Sequence, residues 1–309
     1  MRIALFFDKH GRGTVGRYFE RAFEALGVPH DYFWTRRAHA GLTGYDLYVR
    51  IDHGDYRYDL PPTLRPAVFY AVDTHLRKPW RAIQRQARHY DLICCAQHEV
   101  VPQFPRAVWL PFGCDLALHQ QLPLPKRYDV AFVGTEGAIP RKFLLQALRE
   151  RYPSHFIGHA HFTQMGSLYS QAKIGFHYIG LQTKAKSYVS MRVPEVMACG
   201  ALMITNATPD GSLEAMGLRD RRELVCYRSF HEIYPLIDYY LEHDDERDTI
   251  ARAGCAVMRS RHTYQHRAWM LLEETVRRLR RQYPQLGALQ HWMSARRADV
   301  TRAAVGSAP

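Results

Sequence analysis

The run from Ser190 to Thr205 constrains this chain more than any other stretch, because it reads as a short helix running straight into a buried strand. Pro194 suits a first helical turn, where its missing N–H has no partner to lose. Val196, Met197 and Ala198 supply helix-tolerant apolar bulk, and Gly200 falls where a helix stops and positive φ is needed. Ala201 to Ile204 is a continuous apolar run, as in a strand covered on both faces. A helix start exposes N–H groups and partial positive charge, so it suits a diphosphate. Glu195, in the first turn, would then accept hydrogen bonds from an adjoining ribose. The same acid also serves ordinary helix capping, which favours acids in any first turn.

Alternation of strand and helix runs through the rest of the chain. Arg2–Phe7 reads as a strand, Gly11-Arg12-Gly13-Thr14-Val15-Gly16 as a glycine-rich loop, and the residues to Leu26 as an amphipathic helix, which together open a βαβ unit. The G-x-G-x-x-G spacing matches a dinucleotide fingerprint, but Asp31 is the nearest acid to the expected ribose partner and is poorly placed. The loop is therefore read as a close-approach loop facing a cleft, with His10, Gly11 and Gly13 on the acceptor side. Further strands fit His30–Trp34, Asp46–Ile51, Ala67–Val72, Asp91–Ala96 and Ala107–Leu110, with a helix over Pro79–His89. Leu116–Arg127 is polar and proline-containing and reads as a linker. A second series starts at Tyr128–Val133 and continues through a helix over Arg141–Arg151 to helices near His231–His243, Asp245–Arg259 and Tyr264–Arg281. The expected class is α/β, two Rossmann-like domains facing a cleft. The expected segments are 1–115, a linker at 116–127, a second domain at 128–282, and a crossover and partly disordered tail at 283–309.

The chain has 309 residues, enough for two cores, and is 47% hydrophobic. No apolar run approaches the roughly 20 residues of a spanning helix, and the N-terminus reads as a strand rather than a signal peptide. Six scattered cysteines without metal-site spacing read as reduced thiols of a cytoplasmic protein. The formal net charge of +12 favours anionic partners. Arg277, Arg278, Arg280, Arg281, Arg296 and Arg297 form either a solvated helix face or a peripheral contact with anionic lipid headgroups at a membrane face. The basic residues are dispersed rather than blocked, which disfavours nucleic acid.

The motif Arg192-x-x-Glu195-x-x-Ala198-Cys199-Gly200-Ala201 resembles the donor-site signature of group 1 glycosyltransferases of the two-domain GT-B fold, and is most similar to the CgeB-like, spore-maturation-type branch. The resemblance is strong over about residues 128–206. It implies that the chain transfers a sugar from a nucleoside-diphosphate donor to an acceptor hydroxyl, that Glu195 binds the donor ribose, and that the co-substrate stands in place of any cofactor. Better-known members carry a second acid eight positions upstream. Here that position is Ser187, a departure that fits the CgeB-like branch. Leu110-Pro111-Phe112-Gly113-Cys114-Asp115 resembles the turn that closes the first domain in the same enzymes.

Ligands of open α/β sheets bind beyond the carboxyl ends of the strands. That ranks Gly134 and Thr135, which end the first strand of the second series, and Arg141, Lys142 and Arg192 as cations for a departing diphosphate. Arg141 and Lys142 also read as an ordinary solvated helix start, but cations are mildly unfavourable there, which tilts the reading towards a ligand. No metal motif is present, and these cations with the helix N-terminus would take the place of a divalent ion. Ser187, Ser190 and Tyr178 are further donor-side candidates, Tyr178 reading equally as a packing residue. In the first domain Asp73 and His75 follow a buried strand, and Asp73 first and His75 second are candidates for the general base an inverting transferase needs, Asp73 reading equally as the cap of the next helix. The cluster Asp52-His53-Gly54-Asp55 ends another strand and lacks further metal-ligand spacing. Other readings are a nucleotide-sugar epimerase of the same fold, or a non-catalytic nucleotide- or nucleic-acid-binding protein. The acceptor class stays open among lipid-linked saccharide, glycan, protein and small molecule.

Overall fold

The computed structural model describes residues 1–9, 14–137, 139–178 and 187–305, with side chains described to 297. The chain divides into two compact units, Met1–Pro111 with Tyr264–Pro309, and Phe112–Thr263.

The first unit begins with β1 (Ile3–Phe6), α1 (Thr14–Leu26), β2 (His30–Phe33), β3 (Leu47–Ile51), β4 (Ala67–Ala71), α2 (Arg77–Ala87), β5 (Leu92–Cys95) and β6 (Ala107–Trp109). The strands form one sheet in the order β2-β1-β3-β4-β5-β6, with every pairing parallel. Burial is continuous along β1, β3, β4 and β5, as a sheet covered on both faces requires. On α1, Val15, Tyr18, Phe19, Ala22 and Phe23 bury one stripe at helical spacing. Gly16, the last glycine of the G-x-G-x-x-G run, lets α1 lie on β1, because a Cβ there would overlap the Phe7 ring. Arg50 of β3 is wholly buried and donates to Asp59 Oδ1 at 2.9 Å and Gln86 Oε1 at 2.8 Å.

The second unit holds β7 (Tyr128–Val133), α3 (Arg141–Arg151), β8 (His155–Gly158), α4 (Met165–Ser170), β9 (Ala172–Phe176), α5 (Arg192–Ala198), β10 (Leu202–Asn206), α6 (Ser212–Ala215), β11 (Val225–Tyr227), α7 (Ile233–Glu242) and α8 (Asp244–Arg261). Its parallel sheet runs β11-β10-β9-β7-β8. Val130, Phe132, Ile174, Leu202 and Ile204 of the strands pack with Leu144 and Leu148 of α3 and Ile233 and Ile237 of α7. Gly200 ends α5 with φ +76°, as its position in the sequence predicts. Gly175 of β9 lets α5 approach, since a Cβ there would overlap Val196 Cγ1. Gly175→Ala is expected to cost about 1–3 kcal/mol of stability by overpacking, and Gly175→Ala with Val196→Ala to recover most of it. Urea denaturation checks both; a single variant as stable as the parent refutes the close packing.

The chain then returns to the first unit through α9 (Tyr264–Leu279) and α10 (Leu286–Val305). Tyr264 is wholly buried against Tyr18 and Phe19 of α1, with ring centroids 4.8 and 5.5 Å apart. Arg267 Nε donates to Pro111 O at 2.7 Å. Two sequence expectations change here. The second domain was expected to run to 282, whereas α9 belongs to the first unit because its apolar face is complementary to α1. Residues 116–127, expected as a linker, are packed into the second unit. Leu122 N donates to Ser170 Oγ at 2.9 Å, and Lys126 Nζ donates to Ala172 O at 2.7 Å. All six cysteines are free and buried, and burial pushes up the thiols of Cys94, Cys95, Cys199, Cys226 and Cys255, Cys95 and Cys226 to about 12. No described helix is long and apolar enough to cross a membrane.

Candidate functional site

In the second unit the chain leaves β7 towards β8 on one side and later leaves β9 towards β10 on the other. The carboxyl ends of β7 and β9 therefore flank the point where strand order reverses, the place where open α/β sheets bind ligands. Gly134 and Thr135 follow β7, Tyr178 follows β9, and α5 begins beside them at Arg192. Arg192 Nε donates to Val133 O, the last carbonyl of β7, at 3.1 Å. Its Nη1 donates to Glu195 Oε2 in a short charge-assisted bond.

Glu195 is wholly buried. Its Oε2 takes the Arg192 bond, and its Oε1 faces His119 Nε2 at 3.9 Å. His119 is itself 0% exposed, and its Nδ1 accepts the backbone N–H of Asp115 at 2.9 Å. Tyr169 is the third buried polar group here. Burial pushes its hydroxyl well above the usual range, with Arg192 and Glu195 beside it, and that hydroxyl makes no hydrogen bond of ordinary geometry. The sequence pattern exposed neither group: His119 sits in a stretch that reads as linker, and Tyr169 reads as one more packing aromatic.

The other candidates divide by environment. Arg141 opens α3, its Nη1 donates to Thr135 O at 3.4 Å, and its Nε is buried with no hydrogen bond. Gly137, at φ +66°, sits under its side chain. Lys142 is exposed. Ser190 Oγ accepts the Arg192 backbone N–H at 3.2 Å, so it secures the start of α5. Ser187, at the position of the absent acid, is buried and accepts the Asp210 N–H at 3.0 Å, tying its loop to the one after β10. Tyr178 is buried and stacked on Tyr227 at 6.3 Å, with the edge of Phe230 at 6.4 Å. Burial raises its hydroxyl pKa, with the charge of Arg141 opposing. Packing thus accounts for Tyr178, while Phe230, 41% exposed, is the aromatic surface this cluster offers outward.

In the first unit the reversal of strand order lies between β1 and β3, and a cavity of about 790 Å³ there is lined by Asp8, His53, Gly54, Asp55, Tyr56 and Arg57 among others. Burial and the Arg50 charge lower the pKa of His53, whose Nε2 lies 3.2 Å from Thr35 Oγ1. Asp52 is buried and accepts from Gly54 N, Tyr56 OH, Val72 N and Asp73 N at 3.0–3.1 Å, so it clamps the ends of β3 and β4 together. Asp73 and His75, half-buried after β4, lie one strand further along the sheet than this cavity. His10, Gly11 and Gly13 lie outside the described residues. Among the described residues one trio has atoms close enough to hold a metal ion, Glu20, Glu24 and His30, and Glu20 is already paired with Lys9 Nζ at 2.5 Å.

Residues 117–273 match the model of a family described as glycosyl transferase-like. No curated protein matches the chain in sequence. Among solved structures the chain is similar to Anabaena HepE in complex with UDP and glucose, at TM-score 0.58 and 13% identity over 88% of this chain and 98% of that one. It is similar to sucrose-phosphate synthase from Thermosynechococcus elongatus, at TM-score 0.61 and 14% identity over 90% and 99%. An α-glucosyltransferase in complex with UDP and a 13-mer DNA aligns at TM-score 0.55 and 12% identity over 82% and 94%. At these identities the likeness establishes the fold, two parallel α/β sheets of GT-B type.

Proposed function

The chain belongs to the glycosyl transferase-like family and is a glycosyltransferase, and from that premise we propose that it moves a sugar from a nucleoside-diphosphate donor, UDP being the first base to test, to an acceptor hydroxyl. The observation that carries this reading is the convergence of Arg192, Glu195 and Arg141 on the point of strand reversal in the second unit. Glu195 takes the ribose. Arg192, Arg141 and Lys142 take the diphosphate, whose growing negative charge as the sugar leaves is what a cationic site stabilises most. Seven residues give α5 under two turns, so its dipole is small and the side-chain cations carry most of this work. The UDP named with two of the similar structures favours that base.

Metal independence, a place in the CgeB-like branch and a cytoplasmic site of action belong to the same proposal. The net charge of +12 favours an acceptor carried on an anionic molecule. Calorimetry with UDP, GDP, ADP and dTDP and their sugars, with and without EDTA, tests the donor side. One diphosphate binds, EDTA leaves it bound, and Arg141→Ala weakens it about tenfold, the loss of roughly one charge-assisted bond, while the free nucleoside binds the variant as it binds the parent. Absence of binding to every diphosphate, or an absolute need for a divalent ion, overturns the reading.

A further inference from the structure

We propose that the outer face of α2 is a docking surface for anionic lipid headgroups, which holds the first unit on a bilayer with the Asp73 loop at its surface. The helix reads Arg77-Lys78-Pro79-Trp80-Arg81-Ala82-Ile83-Gln84-Arg85-Gln86-Ala87 and holds no acid. Arg88 continues it, with φ −61° and ψ −23°. At about 100° per residue, Arg77, Lys78, Arg81, Arg85 and Arg88 fall within roughly 100° of arc, and all five are exposed. Ile83, Gln86 and Ala87 fill the opposite, buried side. The stripe is about 16 Å long. Among the described residues, none of the five side chains has a hydrogen bond or an ion pair. Arg106 is exposed and lines a cavity of about 590 Å³ with Arg88, so the cationic surface extends beyond the helix.

This charge pattern works against the helix that carries it. Like charges four apart, as in Arg77 with Arg81 and Arg81 with Arg85, repel, and Arg77 and Lys78 stand at the helix end where cations are disfavoured. Folding alone favours interspersed acids, and an anionic partner relieves a stripe that lacks them. The arginines of α9 and α10 are differently placed. Glu274 accepts from Arg277 Nε at 3.0 Å and Arg278 Nε at 2.9 Å, and Glu273 pairs with Arg297 at 3.2 Å, so those charges are already met. Two features select a bilayer over a nucleic acid. Leu76, which caps α2 beside Arg77 and Lys78, is 41% exposed, an apolar side chain that a bilayer interface accepts. Trp80, the aromatic residue of the helix, is packed edge-on to Phe104 at 5.4 Å against the core, so bases have no ring to stack on along α2. The helix starts two residues after His75. Docked side-on, it brings the Asp73 loop to headgroup level, where an acceptor hydroxyl carried on a lipid lies. That consequence rests on the transfer reading above; the docking itself does not.

Sedimentation with unilamellar vesicles tests this, using phosphatidylcholine alone and phosphatidylcholine with an equal part of phosphatidylglycerol. The protein binds the mixed vesicles and not the neutral ones. Arg81→Gln with Arg88→Gln lowers that binding about 25-fold, roughly fivefold for each charge withdrawn from the headgroups. Its melting temperature is no lower than the parent's, because the removed charges repel their neighbours. Arg277→Gln with Arg278→Gln withdraws the same charge from the whole chain and keeps binding within about twofold of the parent, since Glu274 already neutralises that site. Equal binding to both kinds of vesicle, or binding to neither, overturns the proposal. An equal loss in the two double variants overturns it as well, by reducing the attraction to net charge. So does a DNA duplex that binds more tightly than the vesicles and is released by Arg81→Gln with Arg88→Gln. None of these outcomes touches the transferase reading, since no readout involves a sugar donor.

Discussion

Arg192→Met destabilises the second unit by about 3 kcal/mol, the usual scale for stripping a buried charge of its partner, and weakens nucleoside-diphosphate binding by at least about 30-fold, equivalent to roughly 2 kcal/mol. The stability effect follows from burial. Glu195 is 0% exposed, and Arg192 is the cation on its Oε2. Removing the guanidinium takes the cation from Oε2 of a carboxylate that is shut off from water. The binding effect has a separate cause, because Arg192 also spans from α5 to the last carbonyl of β7. Arg192→Met with Glu195→Gln separates the two. Removing both charges together is close to neutral for folding, so the double variant recovers to within about 1 kcal/mol of the parent, while diphosphate binding stays lost. Urea denaturation reads the first quantity and calorimetry the second. A single variant with unchanged stability refutes the buried pair as a structural element, and one with unchanged affinity removes Arg192 from the donor site.

Asp73→Asn lowers sugar transfer about 100-fold or more, the scale of a lost general base, with donor affinity within about twofold of the parent. The neighbouring Asp52 is the control. Its carboxylate accepts four hydrogen bonds in the interior, two of them from the backbone at the start of the Asp73 loop. Asp52→Asn turns one acceptor oxygen into a donor facing other donors, so its expected effect is on stability. The backbone N–H of Asp73 is held by Asp52, and its own side chain stands half-buried beyond β4. Steady-state kinetics of both variants distinguish the roles. Full transfer by Asp73→Asn removes it as the base and passes the assignment to His75, tested by the same measurement.

Both sheets were legible from the chain because parallel strands covered on two faces leave continuous apolar runs, as in Ala67–Ala71 and Ala201–Ile204. The helix before Gly200 was legible from its proline, acid and glycine. Periodicity says that Tyr264–Leu279 is a helix but not which sheet its apolar stripe covers, and so α9 was expected in the wrong unit. Residues 116–127 looked like linker because their bonds run from backbone atoms and one lysine to carbonyl groups and a serine hydroxyl far along the chain, which leave no pattern in side-chain hydropathy. His119 was hidden for the same reason. Ser187 and Ser190 show the opposite case, since polar residues in a stretch that also carries Lys184 and Lys186 suggest a ligand, yet each hydroxyl holds a backbone N–H of the fold.

The buried thiols have a use beyond packing. Cys94 and Cys95 lie in one unit and Cys114, Cys199, Cys226 and Cys255 in the other. An alkylating reagent reaches any of them only when the structure around it opens, and the raised pKa values of Cys94 in one half and Cys199 in the other slow their reaction further. Pulsed labelling followed by peptide mass analysis therefore times the opening of each half of the molecule separately, with no engineered probe. Retarded labelling at the four thiols of the second half, in the presence of a nucleotide, would locate the ligand's stabilisation in that half alone.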